Sequence, residues 1–280
     1  MPLSPSSSGE VQPEDDGFAE LISRIEARTQ FQGHRYKDKC LRRRIAVRMR
    51  ARGEDTYASY GALLDRDASE YDLLLDALTI NVTKFFRNQE VWAVLEDEVI
   101  PQLFASPRAE RGIWSAGSAS GEELYSVSIL LHEWAIRHGR EAELDRFRLL
   151  GTDIDRRSLE AARRGAFPDL SMGETPQPLR DRWFSAGPPY RLDERILRSA
   201  EFEQRDLISE GAVPNQSLIV CRNVIIYFDR SIQEELFERF YEALVPGGFL
   251  ALGKVETLLG RARSLFRPVN NRQRIFRKPE

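Results

Sequence analysis

Hydrophobic residues recur at two different spacings along the chain, and the spacing changes near residue 110. Between residues 17 and 80 they recur three and four positions apart, which is typical of amphipathic helices that share a core. Beyond residue 110, short apolar runs alternate with helical patterns, which is typical of a sheet whose strands are separated by helices. We therefore predict a small all-helical domain at 17–80, a linker and helix at 81–110, and an α/β domain at 111–280.

The α/β domain opens with a strand, a tight turn and a helix. Ile113 and Trp114 are followed by seven small residues, 115–121, and then by apolar residues at helical spacing. Later apolar runs predict further buried strands, at 147–154, 217–221, 249–253 and 274–278. Such repeated strand and helix units suit a doubly wound, Rossmann-like sheet.

Two stretches depart from this alternation. Residues 165–205 contain five prolines together with short alternating apolar segments, which predict a small antiparallel β insertion in the sheet. An insertion of this kind often contacts a partner. Residues 1–16 are rich in proline, serine and acidic side chains, and we expect them to form a disordered tail.

Several side chains predict where helices begin and end. Candidate N-terminal caps precede four helical patterns, at Thr56, Asn88, Asp155 and the Ser231–Glu234 pair. Gly53 and Gly165 follow two of the helical patterns and are expected to end those helices.

Composition excludes several classes of protein. The net charge is −3, so no overall positive field attracts nucleic acid. The two cysteines, Cys40 and Cys221, make neither a disulfide framework nor a metal site, and the three histidines have no ligand spacing. No signal peptide or bilayer-spanning apolar run is evident, so we expect a soluble, cytoplasmic protein without membrane insertion.

One helical pattern, residues 36–53, is strongly basic although the chain is net acidic. Its arginines include four that we take as candidates for docking an acidic partner: Arg42, Arg43, Arg44 and Arg48. The alternative is an ordinary solvated helix face. Nucleic acid is disfavoured as the partner because no aromatic residues are interleaved to stack on bases.

The turn at 115–121 carries the first candidate chemistry. Its small residues let a ligand approach the backbone, at the strand-to-helix step where open α/β sheets bind nucleotides. Glu122 and Glu123 stand where a phosphate-binding loop would place lysine. Two carboxylates suit a ligand with positive charge or free hydroxyls, such as S-adenosylmethionine. An ordinary turn with acidic residues at a helix N-terminus explains the same pattern.

Further polar residues follow other predicted strands. Asp153 and Asp155 end the strand at 147–154; Asp155 fits a helix cap better, which leaves Asp153 for ribose hydroxyls. Cys221 and Arg222 end the strand at 217–221. The segment 79–88 places polar residues around two phenylalanines, and it serves either as a packed linker or as a ligand-facing segment.

Five motifs, in this order along the chain, resemble the CheR-type chemotaxis receptor glutamate methyltransferases: NVTKFFR, WSAGSASGEELYS, GTDID, CRNVIIYFD and PGGFLALG. The resemblance extends from about residue 17 to residue 278. It implies a methyltransferase sheet with S-adenosylmethionine as cofactor and S-adenosylhomocysteine as product. The family's cofactor contacts fall on nine residues: Asn81, Thr83, Arg87, Glu123, Asp153, Asp206, Leu207, Cys221 and Arg222.

The resemblance also implies a reaction and a substrate. Tyr227 matches a tyrosine placed near the transferred methyl group, and Arg87 and Tyr227 are the expected catalytic residues. The implied substrate is the cytoplasmic helical bundle of methyl-accepting chemoreceptors, methylated on glutamate, and we expect the enzyme to be a monomer. The chain departs from many members at Ala119-Ser120, at Asp206 and at Lys254-Val255. Whether the β insertion binds a receptor tail is open.

Two alternatives remain at this point. A methyltransferase acting on RNA or a small molecule would have the same sheet, and the basic helix is its best support. A module that binds cofactor or receptor without turnover is supported by the departures at 119 and 254–255.

Overall fold

A computed structural model describes residues 17–29, 31–78 and 83–280. The predicted tail at 1–16 and the candidate cofactor residue Asn81 lie outside these ranges. The chain divides into two compact units, Met1–Ile80 and Asn81–Glu280.

The first unit is all-helical, as its apolar spacing predicts. Its α-helices are α1 (Phe18–Arg28), α2 (Asp38–Arg52), α3 (Tyr57–Arg66) and α4 (Ser69–Leu78), with a 3₁₀ turn at Gly33–Arg35. Thr56 caps α3 as predicted, because its side chain accepts a hydrogen bond from the backbone N–H of Ser59 at 3.1 Å. Gly53 ends α2 in the left-handed conformation, which is also as predicted.

The basic helix α2 directs much of its charge inward. The carboxylate of Glu70 is fully buried and accepts two hydrogen bonds from Arg48, at 2.9 and 2.8 Å, and others from Arg52 and Tyr60. Arg44 is buried, and the guanidinium of Arg42 lies 3.9 Å from the ring centroid of Phe18.

The prediction of a four-arginine docking face therefore needs correction. Only Arg43 of the four candidates is exposed. Arg48 and Arg42 are held within the helical unit, because Arg48 binds the buried Glu70 and Arg42 lies over the Phe18 ring. The side chain of Arg44 is buried. The exposed side of α2 instead carries Lys39, Arg43 and Arg50 around a half-exposed Val47.

The second unit is built on a seven-stranded sheet. Its strands are β1 (Arg111–Ala116), β2 (Phe147–Asp153), β3 (Ala166–Phe167), β4 (Tyr190–Arg191), β5 (Ala200–Gln204), β6 (Gln216–Cys221), β7 (Leu244–Leu252), β8 (Arg267–Asn270) and β9 (Ile275–Arg277). The sheet order is β5-β2-β1-β6-β7-β9-β8, and β3 pairs with β4 outside it. The first five strands of that order run parallel, and β9 and β8 are antiparallel.

Helices connect these strands and cover the sheet. They are α5 (Gln89–Val94), α6 (Ile100–Ala105), α7 (Glu122–His138), α8 (Arg156–Arg164), α9 (Gln177–Trp183), α10 (Glu194–Leu197), α11 (Arg230–Ala243) and α12 (Ala262–Leu265). A π-helical turn, Leu95–Val99, joins α5 to α6. The α/β fold with a preceding helical domain confirms the predicted fold class. In the part of the chain that the structure describes, no helix is long and apolar enough to cross a membrane.

The β insertion is smaller than predicted. Its antiparallel pair is β3 with β4, in which Phe167 faces Tyr190. The segment around Phe202 does not belong to this pair; it forms β5, an edge strand parallel to β2. The prediction failed there because Phe202 is flanked by exposed glutamates, as an edge strand allows, and its ring packs onto the main sheet beside Gly151.

Two predicted helix caps are wrong. The helix α11 begins at Arg230 after Asp229, so Ser231 lies inside its first turn and makes no capping box. Asn88 precedes α5 in a left-handed conformation without a side-chain cap. By contrast, Asp155 caps α8 through the backbone N–H groups of Arg157 and Ser158, and Gly165 ends that helix, as predicted.

Candidate functional site

The turn between β1 and α7 is held tightly against neighbouring strand tips. The backbone N–H groups of Gly117 and Ser118 both donate to the carbonyl oxygen of Thr152, at 2.8 and 2.9 Å. Gly117 has φ +81°, and a Cβ atom there would lie 2.5 Å from Val224. The missing side chain at Gly117 therefore makes room for Val224. Whether a ligand lies close to the backbone of this turn stays a prediction.

Asp153 sits at the tip of β2 and faces this turn. Its carboxylate accepts hydrogen bonds from the backbone N–H of Ala119 at 2.8 Å and of Asp155 at 2.9 Å. Burial raises the pKa of Asp153 above its usual value, against these hydrogen bonds. The tip of β2 thus carries a partly buried acid fixed beside the turn.

The two carboxylates that follow the turn point in different directions. Glu123 accepts a hydrogen bond from the hydroxyl of Ser115 at 2.9 Å, and burial raises its pKa to about 7. Glu122 instead accepts hydrogen bonds from Ser120 and from Ser171 in the insertion. The residue types of the turn do not separate the two, but the family resemblance selects Glu123, and Glu123 is the one that joins the charged group described next.

Arg222 follows β6 and is buried against Glu123. One guanidinium nitrogen, Nη1, lies 3.6 Å from the Glu123 carboxylate, and Nη2 donates to the carbonyl oxygen of Arg87 at 2.8 Å and to the side chain of Asn88 at 3.0 Å. Its guanidinium carbon lies 5.4 Å from the Trp92 ring centroid. Burial lowers the pKa of Arg222, and the charge of Glu123 opposes that shift.

The segment around Arg87 is fixed at several points. The N–H of Phe85 donates to the Ser171 carbonyl at 3.0 Å, and the N–H of Asn88 donates to Glu174 at 2.6 Å. The ring of Phe85 also packs edge-on against Phe167 and Phe184 of the insertion. The segment is therefore a packed connection, as one interpretation predicted, and its Arg87 carbonyl binds Arg222. The ligand-facing role stays a prediction.

The other described residues that the family resemblance assigns to the site have different surroundings from one another. The Asp206 carboxylate accepts hydrogen bonds from the N–H of Ile208 and the hydroxyl of Ser209, and Leu207 is buried. Arg205 links this loop to β2, because its N–H donates to the Asp153 carbonyl at 2.9 Å. Three more candidates complete the set: half-buried Thr83, half-buried Tyr227 in the 3₁₀ turn Ile225–Tyr227, and fully buried Cys221, whose pKa burial raises well above its usual value.

Three residues of this region were missed as candidates. Asn88 binds Arg222, and Glu174 holds Asn88. Glu256 accepts hydrogen bonds from four backbone N–H groups at the tips of β6 and β7. Most of their partners are distant in the sequence, so no local pattern pointed to these roles.

Two domain families match the chain. The family described as "CheR methyltransferase, SAM binding domain" matches residues 81–275, and "CheR methyltransferase, all-alpha domain" matches residues 16–79. A chemotaxis protein methyltransferase of Listeria innocua is 31% identical over 237 residues, which cover 84% of this chain and 88% of that protein. Chemotaxis protein methyltransferase 2 of Pseudomonas aeruginosa is 33% identical over 227 residues, which cover 77% of each chain.

The cofactor is S-adenosylmethionine, and the groups gathered at this edge of the sheet fit it. Asp153 and Glu123 are acids on neighbouring strand and helix ends, and a ligand with ammonium, sulfonium and ribose hydroxyl groups complements such a pair. The region lacks the lysine that a phosphate loop would supply after its glycines. The sequence-based prediction of the cofactor is thus confirmed.

Proposed function

This chain belongs to the CheR methyltransferase family, and we propose that it methylates glutamate side chains of chemoreceptors as a protein-glutamate O-methyltransferase. The observation that carries this proposal is that one chain matches both CheR domain families, and that relatives sharing most of its length are named chemotaxis protein methyltransferases. The substrate we propose is the helical cytoplasmic bundle of such a receptor.

The proposed cofactor contacts are those that the family resemblance implies. Asp153 is assigned to the ribose hydroxyls, because a carboxylate with two acceptor oxygens at a strand tip matches a vicinal diol. Glu123 is assigned to the positively charged end of the cofactor. The remaining assignments are Asn81, Thr83, Arg87, Asp206, Leu207, Cys221 and Arg222.

The proposed reaction needs no general base. A glutamate side chain with a pKa of about 4.3 is already ionised at neutral pH. When bound, S-adenosylmethionine supplies an electrophilic methyl group: the target oxygen bonds to the methyl carbon as the carbon–sulfur bond breaks, and the electron pair stays on sulfur. The protein must therefore align the target carboxylate and exclude water from it.

Arg87 and Arg222 have different parts in this proposal. Protein groups fix the position of the Arg222 guanidinium, since it donates to the Arg87 carbonyl and the Asn88 side chain and lies against Glu123. We assign the Arg87 side chain to a carboxylate of the cofactor or of the target, because a guanidinium binds a carboxylate through two parallel hydrogen bonds. Tyr227 is assigned to the methyl-transfer path.

The experiment that tests these roles is Arg87→Ala, with Arg156→Ala on the exposed face of α8 as the control. We expect the turnover of a receptor fragment to fall by about 100-fold, on the scale of a lost transition-state contact, while the melting temperature stays close to that of the wild type. The control is expected to keep normal turnover. Near-normal turnover of Arg87→Ala would contradict the assignment.

A further inference from the structure

The Glu256 carboxylate accepts hydrogen bonds from four backbone N–H groups. One oxygen, Oε2, accepts from Gly253 at 2.6 Å and from Asn223 at 3.0 Å. The other, Oε1, accepts from Val224 at 3.0 Å and from Ile225 at 2.9 Å. The side chain belongs to the loop after β7, so it fastens that loop to the segment that follows β6.

The Glu256 carboxylate is buried and surrounded by backbone donors. Glu256 is 3% exposed, and burial raises its pKa. Among the contacts described for its carboxylate, all four are backbone N–H groups, which form a cradle of partial positive charge. Gly253 is part of the fit, because a Cβ atom there would lie 2.7 Å from Oε2 of Glu256. A buried carboxylate with so many hydrogen bonds fixes its partners closely.

The fastened segment leads directly to Tyr227. Asn223 adopts a left-handed conformation, with φ +63°, although it is not glycine. The chain then forms the 3₁₀ turn, in which the N–H of Tyr227 donates to the Val224 carbonyl at 3.3 Å. Glu256 holds three consecutive N–H groups, from Asn223 to Ile225, which is the first residue of that turn. The conformation of Tyr227 therefore depends on a backbone that Glu256 holds in place.

Arg222, which immediately precedes the segment, has anchors of its own. Its guanidinium binds the Arg87 carbonyl, the Asn88 side chain and Glu123, and Glu256 acts on it through charge without a hydrogen bond. Loss of the Glu256 contacts should thus disturb the part of the site that follows Asn223 more than the part that precedes it. This separates a methyl-transfer effect from a cofactor-binding effect.

We propose that Glu256 is a positioning residue for methyl transfer, which acts by holding the segment from Asn223 to Ile225 so that Tyr227 lies on the transfer path. This inference rests on the proposed function. It assigns to Glu256 no contact with cofactor or substrate.

The test is Glu256→Gln, which keeps the size of the side chain but turns one oxygen into an NH₂ group that faces N–H donors. We expect kcat with a receptor fragment to fall at least tenfold, while the Kd for S-adenosylmethionine changes less than threefold. The backbone amides of residues 223–225 should exchange hydrogen faster in the cofactor-free protein. The control is Glu133→Gln, a partly buried acceptor in the same unit, which binds Trp183 and Arg182 instead. It should leave kcat unchanged.

A double-variant comparison separates positioning from a general loss of stability. If Glu256 acts through Tyr227, then Glu256→Gln combined with Tyr227→Phe will be no slower than the slower single variant. Multiplied effects of the two substitutions would overturn the proposal, and so would an unchanged kcat in Glu256→Gln. If Glu256→Gln does not fold, Gly253→Ala perturbs the same contact from the opposite side and is expected to give the same pattern.

Failure of the proposed function and failure of the Glu256 proposal give different results. A wild-type chain that binds S-adenosylmethionine but does not methylate the receptor fragment would contradict the proposed function. Amide exchange would still decide the present inference, because unchanged protection of residues 223–225 in Glu256→Gln overturns it whatever the substrate.

Discussion

Glu123 makes the stability of the methyltransferase unit depend on pH in a direction that can be calculated. Burial raises its pKa from 4.5 to about 7, in spite of Arg222 and the Ser115 hydroxyl. Between these two values the folded state holds a proton that the unfolded state has released. Stability therefore falls as the pH rises through this window, because the unfolded state binds fewer protons.

The size of the effect follows from the two pKa values. Between pH 5 and pH 7 the contribution of this carboxyl group to the free energy of unfolding declines by about 2 kcal/mol. Glu123→Gln has nearly the same shape but does not titrate, so it removes that decline. The free energy of unfolding of the wild type, taken relative to that of the variant, should fall by this amount over the same range.

Tryptophan fluorescence during urea unfolding is the appropriate assay. The four tryptophans, at positions 92, 114, 134 and 183, all lie in the unit Asn81–Glu280, so the signal reports this unit alone. Unfolding curves at pH 5, 6, 7 and 8 would be measured for the wild type, for Glu123→Gln and for Glu160→Gln, an exposed control on α8. Parallel pH profiles for the wild type and Glu123→Gln would refute the reasoning, because they would mean that burial does not raise this pKa.

Two further predictions concern the helical unit. Glu70→Gln should destabilise that unit by about 3 kcal/mol, because it leaves the buried Arg48 contact without its carboxylate; faster amide exchange in α2 and α4 of the full chain would be the measured sign, and unchanged exchange would contradict it. Arg43→Glu combined with Arg50→Glu should slow receptor methylation without changing the Kd for S-adenosylmethionine, and the difference from wild type should shrink as salt rises. An equal slowing by Arg66→Glu, an exposed control on α3, would argue against a specific docking face.

Sequence patterns predicted some helix boundaries correctly, where residues close together in the sequence determine them. The cap at Asp155 and the helix end at Gly165 depend on residues within a few positions of each other, and both predictions are confirmed. The cap predicted at Ser231 failed because Asp229 lies just upstream and the helix starts after it. Ser231 has Glu234 three residues later, which matches the capping-box pattern, whereas Asp229 has Ile232 at that spacing, so the local pattern favoured the wrong start.

Contacts between residues that are far apart in the sequence could not be predicted from the sequence patterns. In the sequence, Arg48 belongs to a run of basic residues that resembles an exposed surface. In the fold it binds the buried Glu70, which lies 22 positions later in the chain. Glu256 binds backbone N–H groups 31 to 33 positions earlier. Every residue except proline has such a group, so no residue type in the sequence marks these partners. The family motifs indicated which residues gather at the site, whereas the inward-facing side of α2 and the contacts of Glu256 required the fold.

Transfer of labelled methyl from S-adenosylmethionine to a chemoreceptor cytoplasmic fragment is the most direct measurement of the proposed activity. We predict label that is released by base, as a carboxyl methyl ester is, and that is lost when the acceptor glutamates of the receptor are changed to alanine. Binding of S-adenosylmethionine by calorimetry without any base-labile transfer would contradict the proposed receptor methylation.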